Sequence, residues 1–255
     1  IMWRYSLILL LLAPVILVRL LRFKYRYKNY RLSEALGQSG EKIDADLWLH
    51  CASVGEVLAV RPLVSAWQKQ HPQKTLLITT MTPTGEEQVR KLFSERVIHR
   101  YLPVDWSFAV TGFFRRISCP QLLIVETELW PNLLRVADKK GIQSVLINAR
   151  LSERSFRRYK RFSWLTKAIF SYLDQICAHH QEDADRFRQL GAKNVDVTGN
   201  IKFDLQVDPA VWQQDWRSQV SPQGMVWLAA STHPGEDEQA LRAHQALLKV
   251  DPQAL

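Results

Sequence analysis

The amino-acid sequence predicts an α/β fold built on a mostly parallel sheet flanked by helices. Short apolar runs alternate with amphipathic stretches of 10–20 residues, and 47% of all residues are hydrophobic. Such alternation is typical of βαβ units, which place successive strands in parallel. The 255 residues are enough for one large domain and the beginning of another.

Seven apolar runs are predicted as strands. They are Leu47–Cys51, Thr75–Thr80, Val97–Tyr101, Gln121–Val125, Ser144–Asn148, Gln175–Ala178 and Asn194–Val197. The helical patterns between them include Val57–Gln70, Gly85–Phe93, Pro131–Lys140 and Ser155–Tyr172. Because ligands of parallel sheets bind outside the carboxyl ends of the strands, functional residues are expected in the loops that follow them.

The first 31 residues are predicted to bind a membrane. Residues 5–21 are almost wholly apolar, but their uninterrupted run, Leu7–Val18, has 12 residues, fewer than the ~20 of a spanning helix. Six Lys or Arg residues, four aromatic residues and no acidic residue follow between Arg19 and Arg31. This composition favours an anionic lipid surface. Residues 1–31 are therefore interpreted as an anchor, spanning or monotopic, with a basic collar.

Two alternatives stay open for this segment. A signal peptide has a similar apolar core, but no A-x-A cleavage site is present and the basic residues follow the core instead of preceding it. A buried core helix is the other alternative. Nucleic acid is not an expected partner, because no RNA-recognition motif accompanies the basic residues.

Charge and cysteine content also limit the function. The formal net charge of +9 favours an anionic partner, such as acidic lipid or a phosphorylated substrate. Cys51, Cys119 and Cys177 lie in or beside apolar stretches without CxxC spacing, and we expect buried free thiols. The histidines complete no ligand set with them, so no metal site is predicted.

Composition divides the chain into four parts. Residues 1–31 form the anchor, 32–204 the first domain with a polar linker over 33–46, and 205–224 a linker with two prolines and mixed polar residues. Residues 225–255 are expected to begin a second domain, with a strand at 225–231 and a helix from about Asp237 to Lys249. One βα unit is too small to fold alone, so we expect this domain to continue beyond residue 255.

The loop after the first strand, HCASVGEV at residues 50–57, carries a carboxylate at the mouth of a helix. Ser53 and Glu56 have the spacing of a capping box, with Ser53 at the N-cap. Glu56 also lies at the edge where ligands bind and is favoured as an anion near a helix N-terminus. It is therefore a candidate general base, and the spacing allows both roles.

Two further loops carry polar clusters. In TTMTPTG, residues 79–85, hydroxyl and backbone N–H groups either bind an anion or a sugar or form an ordinary helix cap. In VETELWPN, residues 125–132, Glu126 and Glu128 directly follow an apolar strand. Carboxylates are costly to bury there unless they are paired or functional, which favours a functional role.

The remaining two loops are basic. Six cations lie between Arg150 and Arg161 and either meet lipid phosphates or form a solvated helix face. Lys202 follows the last strand and either stabilises developing negative charge or is an ordinary surface lysine. The absence of GxGxxG, Walker A, HExxH and GxSxG motifs leaves dinucleotide oxidoreductases, P-loop ATPases, zinc proteases and serine hydrolases without support.

Taken in order, six motifs resemble those of the 3-deoxy-D-manno-octulosonic acid (Kdo) transferases of lipopolysaccharide biosynthesis. They are HCASVGE (50–56), TTMTPTG (79–85), ETELWPN (126–132), NARLS (148–152), GNIKFD (199–204) and STHPGE (231–236). The resemblance implies a GT-B fold, in which two Rossmann-like domains face each other across a cleft. The N-terminal domain would hold the lipid acceptor, and the C-terminal domain the donor, CMP-Kdo.

The implied reaction is transfer of Kdo from CMP-Kdo to a lipid A precursor, lipid IVA, at the cytoplasmic face of the inner membrane. By this resemblance Glu56 matches the catalytic base, and Glu126 and Lys202 match positions assigned to transition-state stabilisation. The expected substrate-binding residues are Ser53, Gly55, Thr82, Thr84, Gly85, Glu128, Asn148 and Arg150. No cofactor and no protein-bound metal are expected, anionic inner-membrane lipids are expected partners, and this fragment alone should be inactive.

Two other functions stay open. One is a different membrane-bound GT-B glycosyltransferase that acts on another lipid acceptor. The other is a non-catalytic basic protein of the membrane surface, which has no need for Glu56 and Glu126 to lie in one cleft. The positions of these two carboxylates therefore distinguish the enzymatic hypotheses from the third.

Overall fold

The computed structural model describes residues 2–38, 40–93, 97–205, 209–213, 215–221 and 223–255. The chain divides into two compact units, residues 1–205 and residues 206–255. The strands are β1 (Ile43–Asp44), β2 (Leu47–His50), β3 (Leu76–Thr80), β4 (Val97–Tyr101), β5 (Ile117–Ser118), β6 (Gln121–Val125), β7 (Gln143–Ala149), β8 (Gln175–Ala178) and β9 (Val195–Val197).

Helices connect and flank these strands. They are α1 (Met2–Leu11), α2 (Ala13–Arg26), α3 (Leu32–Ala35), α4 (Val54–Ala59), α5 (Arg61–Gln70), α6 (Pro83–Phe93), α7 (Ser107–Phe114), α8 (Pro131–Lys139), α9 (Glu153–Arg161), α10 (Ser163–Ser171), α11 (Gln181–Gln189), α12 (Pro209–Gln213), α13 (Trp216–Val220) and α14 (Glu236–Leu248). A 3-10 turn covers Ile201–Asp204.

The first unit is built on a seven-stranded sheet in the order β4-β3-β2-β6-β7-β8-β9. All neighbouring strands in it are parallel, and β1 and β5 form a separate parallel pair. The predicted α/β class with a parallel sheet is thus confirmed. All seven predicted strands of this region are present, within one residue at each end.

The core lies on both faces of this sheet. Successive side chains of a strand point to opposite faces, and Trp48 packs in one buried cluster while Leu47 and Leu49 pack in the other. Every residue of β2 and β3 is buried, as expected for central strands of a sheet that helices cover on both sides.

Two predicted long helices are each divided in two. The stretch predicted as Val57–Gln70 breaks at Val60, because Pro62 near the start of α5 lacks the N–H that would continue α4. The stretch predicted as Ser155–Tyr172 breaks at Phe162. There the hydroxyl of Thr166 donates to carbonyl oxygens of the interrupted turn, including that of Phe162 at 3.0 Å.

The interpretation of residues 33–46 as a linker is wrong in part. Residues 32–35 form α3, and residues 43–44 form β1, which pairs with β5. Glu34 is buried, and its carboxylate accepts hydrogen bonds from the Arg31 side chain at 2.7 Å and the Tyr101 N–H at 2.9 Å. The polar composition that indicated a linker belongs to a segment that is hydrogen-bonded to the distant strands β4 and β5.

The second unit contains the predicted C-terminal helix as α14, but the strand predicted at 225–231 is wrong. Strands require a ladder of partners. Here the backbone bonds are limited, among the described residues, to a pair that joins Leu255 with Met225 and Trp227. The linker predicted at 205–224 contains the short helices α12 and α13.

The N-terminal segment forms two helices with a sharp bend between them. In the described part of the chain no single helix is long and apolar enough to cross a bilayer, whereas α1 and α2, bent by 56°, pass that criterion together. Pro14 in the first turn of α2 accounts for the bend, because its ring disrupts a continuous helix. Leu20 of α2 is buried with Tyr30, Ala35 and Tyr101.

Candidate active site

The strand order reverses beside β2, and the loops after β2 and β6 open at that point. β3 and β4 lie on one side of β2, and β6 to β9 lie on the other. In open parallel sheets the crevice at such a switch point is where ligands bind. Glu56 follows β2, whereas Glu126 and Glu128 follow β6, and the charges of both act on Glu56.

Glu56 is held by the start of its own helix. Ser53 is the N-cap of α4, and its Oγ accepts a hydrogen bond from the Glu56 N–H at 3.3 Å. In return the Glu56 carboxylate accepts from the Ser53 hydroxyl at 2.8 Å and from the Ala52 N–H at 2.7 Å. The predicted capping box is confirmed. The backbone N–H that the Glu56 side chain binds is that of Ala52, one residue before the N-cap, instead of that of the N-cap itself.

Glu56 is nevertheless not a simple anion. The residue is 6% exposed, and burial, with the charges of Glu128 and Glu126, raises its pKa to about 7 against the two hydrogen bonds. Desolvation therefore outweighs the favourable bonds, and near pH 7 the carboxyl is about half ionised instead of being held wholly as the anion. A carboxyl group with a pKa near neutrality is well matched to general-base catalysis.

Lys202 lies beside Glu126. Its Nζ is 3.5 Å from Glu126 Oε1, with the two side chains 48% and 40% exposed. The backbone of Glu126 has a φ of +60°, an unfavourable conformation that costs a non-glycine residue about 1–3 kcal/mol. Its N–H donates to the Ile147 carbonyl of β7 at 2.9 Å, so the neighbouring strand supports the strained position.

Asn148 connects β7 to the segment that carries Lys202. Its Oδ1 accepts from His179 Nε2 at 2.6 Å and from the Ile201 N–H at 3.0 Å. Asn148 also has a positive φ, +54°, which asparagine tolerates better than most residues. Its Nδ2 is buried without a partner in the described residues. Asn148 therefore ties the end of β7 to the backbone of the residue that precedes Lys202.

His179 is a site residue that sequence reasoning missed. The sequence feature that could have identified it is its position. His179 directly follows the correctly predicted strand Gln175–Ala178, at the edge of the sheet where the other candidate functional residues lie. Burial lowers the pKa of His179. Because the Asn148 oxygen can only accept, His179 Nε2 is the nitrogen that donates in this bond.

Glu128 and Arg150 border the same edge. Glu128 is half-buried, and burial, together with the charge of Glu126, raises its pKa. The Arg150 side chain is exposed, while its backbone carbonyl accepts a hydrogen bond from the Thr127 hydroxyl. This bond joins the loops that follow β6 and β7.

The threonine loop after β3 serves first as a helix cap. Thr82 Oγ1 accepts from the Gly85 N–H at 3.1 Å and lies 3.2 Å from the Thr84 hydroxyl. A Cβ added at Gly85 would lie 3.0 Å from Thr80 Cβ, so a larger residue there would require the Thr80 side chain to shift. At Gly55, by contrast, an added Cβ would have its nearest neighbour, Ser53 Oγ, 3.9 Å away. Because α4 packs against α6, the Thr82 and Glu56 loops are neighbours.

The second basic cluster lies mainly on α9. Arg154, Arg157, Arg158 and Arg161 border a surface pocket of about 440 Å³ together with Glu153. Glu153 neutralises part of this charge, since Arg157 and Arg186 lie 2.9 Å and 3.4 Å from its carboxylate. Within the described ranges, no group of three or more His, Cys, Asp or Glu side chains could hold a metal ion. The three cysteines are free thiols; Cys51 and Cys119 are buried and Cys177 is half-buried.

Comparison with known proteins gives a consistent result. The family model of 3-deoxy-D-manno-octulosonic-acid transferase (kdotransferase) matches residues 22–205. The 3-deoxy-D-manno-octulosonic acid transferase of Haemophilus influenzae is 37% identical over an alignment of 273 positions, which covers 100% of this chain and 62% of that protein. That of Bordetella pertussis is 31% identical over 263 residues, covering 95% of this chain and 60% of that protein.

Among solved structures, a UDP-N-acetylglucosamine 2-epimerase matches with a TM-score of 0.48 and 16% identity, over 73% of this chain and 54% of the epimerase. The chain spans about three fifths of the length of the two transferases.

The family model alone covers well over half of the chain. The chain therefore belongs to the 3-deoxy-D-manno-octulosonic-acid transferase family.

Proposed function

We propose that this chain is the acceptor-side part of a GT-B glycosyltransferase that transfers Kdo from CMP-Kdo to a lipid A precursor. The observation that carries the proposal is the cluster at the switch point: a buried carboxyl with a pKa of about 7 near a Glu126–Lys202 pair. The relatives are named for Kdo transfer. The donor site is assigned to the part of their length that this chain does not cover.

In the proposed step, Glu56 accepts the proton of the acceptor hydroxyl as its oxygen attacks the anomeric carbon of Kdo. The bond from that carbon to the phosphate oxygen of CMP breaks, and CMP leaves with the electron pair. Lys202 is assigned to stabilise the negative charge that develops, and Glu126 positions its ammonium group. Ser53, Gly55, Thr82, Thr84, Gly85, Glu128, Asn148 and Arg150 are proposed to bind the substrate.

The first test is transfer of radiolabelled Kdo from CMP-Kdo to a tetra-acylated lipid A precursor by the full-length protein. Labelled lipid is the expected product. If the same preparation transfers a different activated sugar to this lipid and no Kdo, the donor assignment is wrong. If no activated sugar is transferred, the proposal of a glycosyltransferase is wrong.

The rate of transfer should depend on pH through Glu56. Since burial raises its pKa to about 7, the carboxyl is protonated and inactive as a base below that pH. We expect kcat/KM to rise with pH and to level off above about 7. An acidic limb near pH 4.5, the value of an unperturbed Glu, would contradict this assignment of the base.

We further propose that α1 and α2 lie along the cytoplasmic face of the inner membrane. Large apolar side chains of both helices are exposed, including Leu11 at 74% and Val15 at 67%. Leu9 and Leu20 are instead buried within the first unit, of which both helices are part, and helices that pack along a domain in this way favour a monotopic anchor. The cations of α2 would contact anionic lipid head groups, and those of α9 the phosphates of the acceptor.

Removing collar cations should weaken membrane binding. Arg22, Arg26 and Lys28 are exposed, and each cation at the surface contributes about 1 kcal/mol. Changing all three to Gln should lower the affinity for phosphatidylglycerol vesicles by about 100-fold at low salt, and by less at high salt. The matched control changes three exposed cations elsewhere: Lys139, Lys140 and Lys193. Equal losses in both triple variants would contradict a role specific to the collar.

A further inference from the structure

Arg31, the last residue of the basic collar, is held in the first unit by three hydrogen bonds. The Arg31 guanidinium donates from Nε to Glu34 at 2.7 Å, from Nη1 to Glu86 at 2.6 Å, and from Nη2 to His99 Nδ1 at 2.9 Å. These three partners belong to α3, α6 and β4, and each is buried. Arg31 is thus different from the exposed cations before it.

Glu86 is the anion that fixes this arginine. Its Oε1 also accepts two bonds from Arg90, at 2.8 Å and 2.9 Å, and its Oε2 accepts the Tyr101 hydroxyl at 2.5 Å. Although burial opposes ionisation, the bonds from Tyr101, Arg31 and Arg90 lower the pKa of Glu86 to about 2. Glu86 is therefore charged at all physiological pH values, and Arg31 is held in place.

The contact with His99 continues into the threonine loop. His99 Nε2 lies 2.9 Å from Thr80 Oγ1, and Thr80 Oγ1 lies 3.3 Å from the Thr82 carbonyl oxygen. An arginine side chain can only donate hydrogen bonds, so Nδ1 of His99 accepts and carries no proton. The proton of the neutral imidazole is then on Nε2 and is donated to Thr80, which leaves the Thr80 hydroxyl proton for the Thr82 carbonyl.

We infer that Arg31, His99 and Thr80 form a directed hydrogen-bond chain that positions the Thr82–Gly85 loop from the end of the membrane collar. Each member has one consistent donor and acceptor assignment, and the chain ends at the turn whose threonine caps α6. Arg31 and His99 are positioning residues, because they act on the loop through Thr80. The importance of the loop for the acceptor rests on the proposed function; the chain of bonds does not.

The bond directions can be read directly from the full-length protein by ¹⁵N NMR of labelled histidine. His99, assigned by loss of its signals in His99→Gln, should show a pyridine-type Nδ1 and a protonated Nε2 at pH 7. An imidazolium, or a proton on Nδ1, would overturn the inference. This measurement needs no substrate and no variant that alters Arg31.

Variants then test the effect on the loop. Arg31→Met should speed amide hydrogen exchange at Gly85 and Glu86 and raise the KM for the lipid acceptor by about tenfold, with the KM for CMP-Kdo unchanged. The matched control is Arg90→Met, since Arg90 donates to the same Glu86 oxygen but stands outside the chain to Thr80. Arg90→Met should leave the exchange rates and the acceptor KM within about threefold of the wild-type values.

Thr80 provides a second pair of variants in case Arg31→Met fails to fold. Thr80→Val removes the hydroxyl at nearly constant shape and should reproduce the faster exchange and the higher acceptor KM, whereas Thr80→Ser should restore both. Unchanged exchange and KM in folded Thr80→Val would overturn the inference. If the wild type transfers no Kdo, the proposed function fails, and the exchange and NMR measurements still decide whether the chain of bonds exists.

Discussion

Replacing Glu56 by Gln should reduce Kdo transfer by the full-length protein by about 10²–10⁴-fold, the usual contribution of a general base. The Gln oxygen can still accept from the Ala52 N–H, and its NH2 group can donate to the Ser53 hydroxyl, which donated to the wild-type carboxylate, but the amide cannot take a proton. The loss should fall on kcat, since the acceptor hydroxyl still binds. Transfer assays at saturating acceptor and donor measure it.

The Glu56→Gln variant should stay folded, and its stability relative to the wild type has a predictable dependence on pH. Because the pKa of Glu56 is raised on folding, to about 7 from 4.5, the wild type loses stability as the pH rises through this interval. The variant should therefore be at least as resistant to heat as the wild type at pH 8. The matched control is Asp138→Asn, an exposed carboxylate near the C-terminal end of α8. Activity of Glu56→Gln within a few-fold of this control would remove Glu56 as the base.

Lys202→Ala should lower kcat by about 10²–10³-fold, the size of the effect when one preorganised group at a developing charge is lost. Its ion pair with Glu126 spans 3.5 Å between two side chains that are each nearly half exposed. Such pairs contribute only about 0–1 kcal/mol to stability. The melting temperature should consequently change little, and a circular-dichroism melt beside the transfer assay separates the two effects.

The control for this change is Lys193→Ala, which removes an exposed lysine close to the beginning of β9. It should leave transfer at the wild-type rate. If Lys202→Ala retains more than about a third of wild-type kcat, transition-state stabilisation by Lys202 is wrong. If it loses activity together with several degrees of melting temperature, the lysine supports the fold.

The strands were predictable because each is a short apolar run between polar turns. Burial on both faces of the sheet makes β2 and β3 apolar throughout, and this composition is visible locally. The order of the strands was not predictable, since pairing between β2 and β6 joins residues more than 70 positions apart, such as Trp48 and Leu122. The switch point, and with it the meeting of Glu56 and Glu126, follows only from that order.

The local features of the candidate site were predictable, whereas those that depend on distant residues were not. The capping box of Ser53 and Glu56 is a local pattern and could be predicted, whereas the raised pKa of Glu56 depends on burial by distant elements. His179 and Arg31 were missed as site or positioning residues because their partners are far away in sequence. Arg31 in particular was grouped with the lipid-facing cations, since composition alone does not separate a half-buried, hydrogen-bonded guanidinium from exposed ones.

The buried cluster of Leu20, Tyr30, Ala35 and Tyr101 has a practical consequence for preparing the protein without its apolar segment. Tyr30 is 2% exposed, and its ring meets that of Tyr101 edge-on at 4.6 Å. A truncation placed between residues 31 and 32, where composition sets the limit of the anchor, would remove half of this cluster and leave Tyr101 uncovered. A soluble version should begin before Leu20, so that the anchor is shortened without opening the domain.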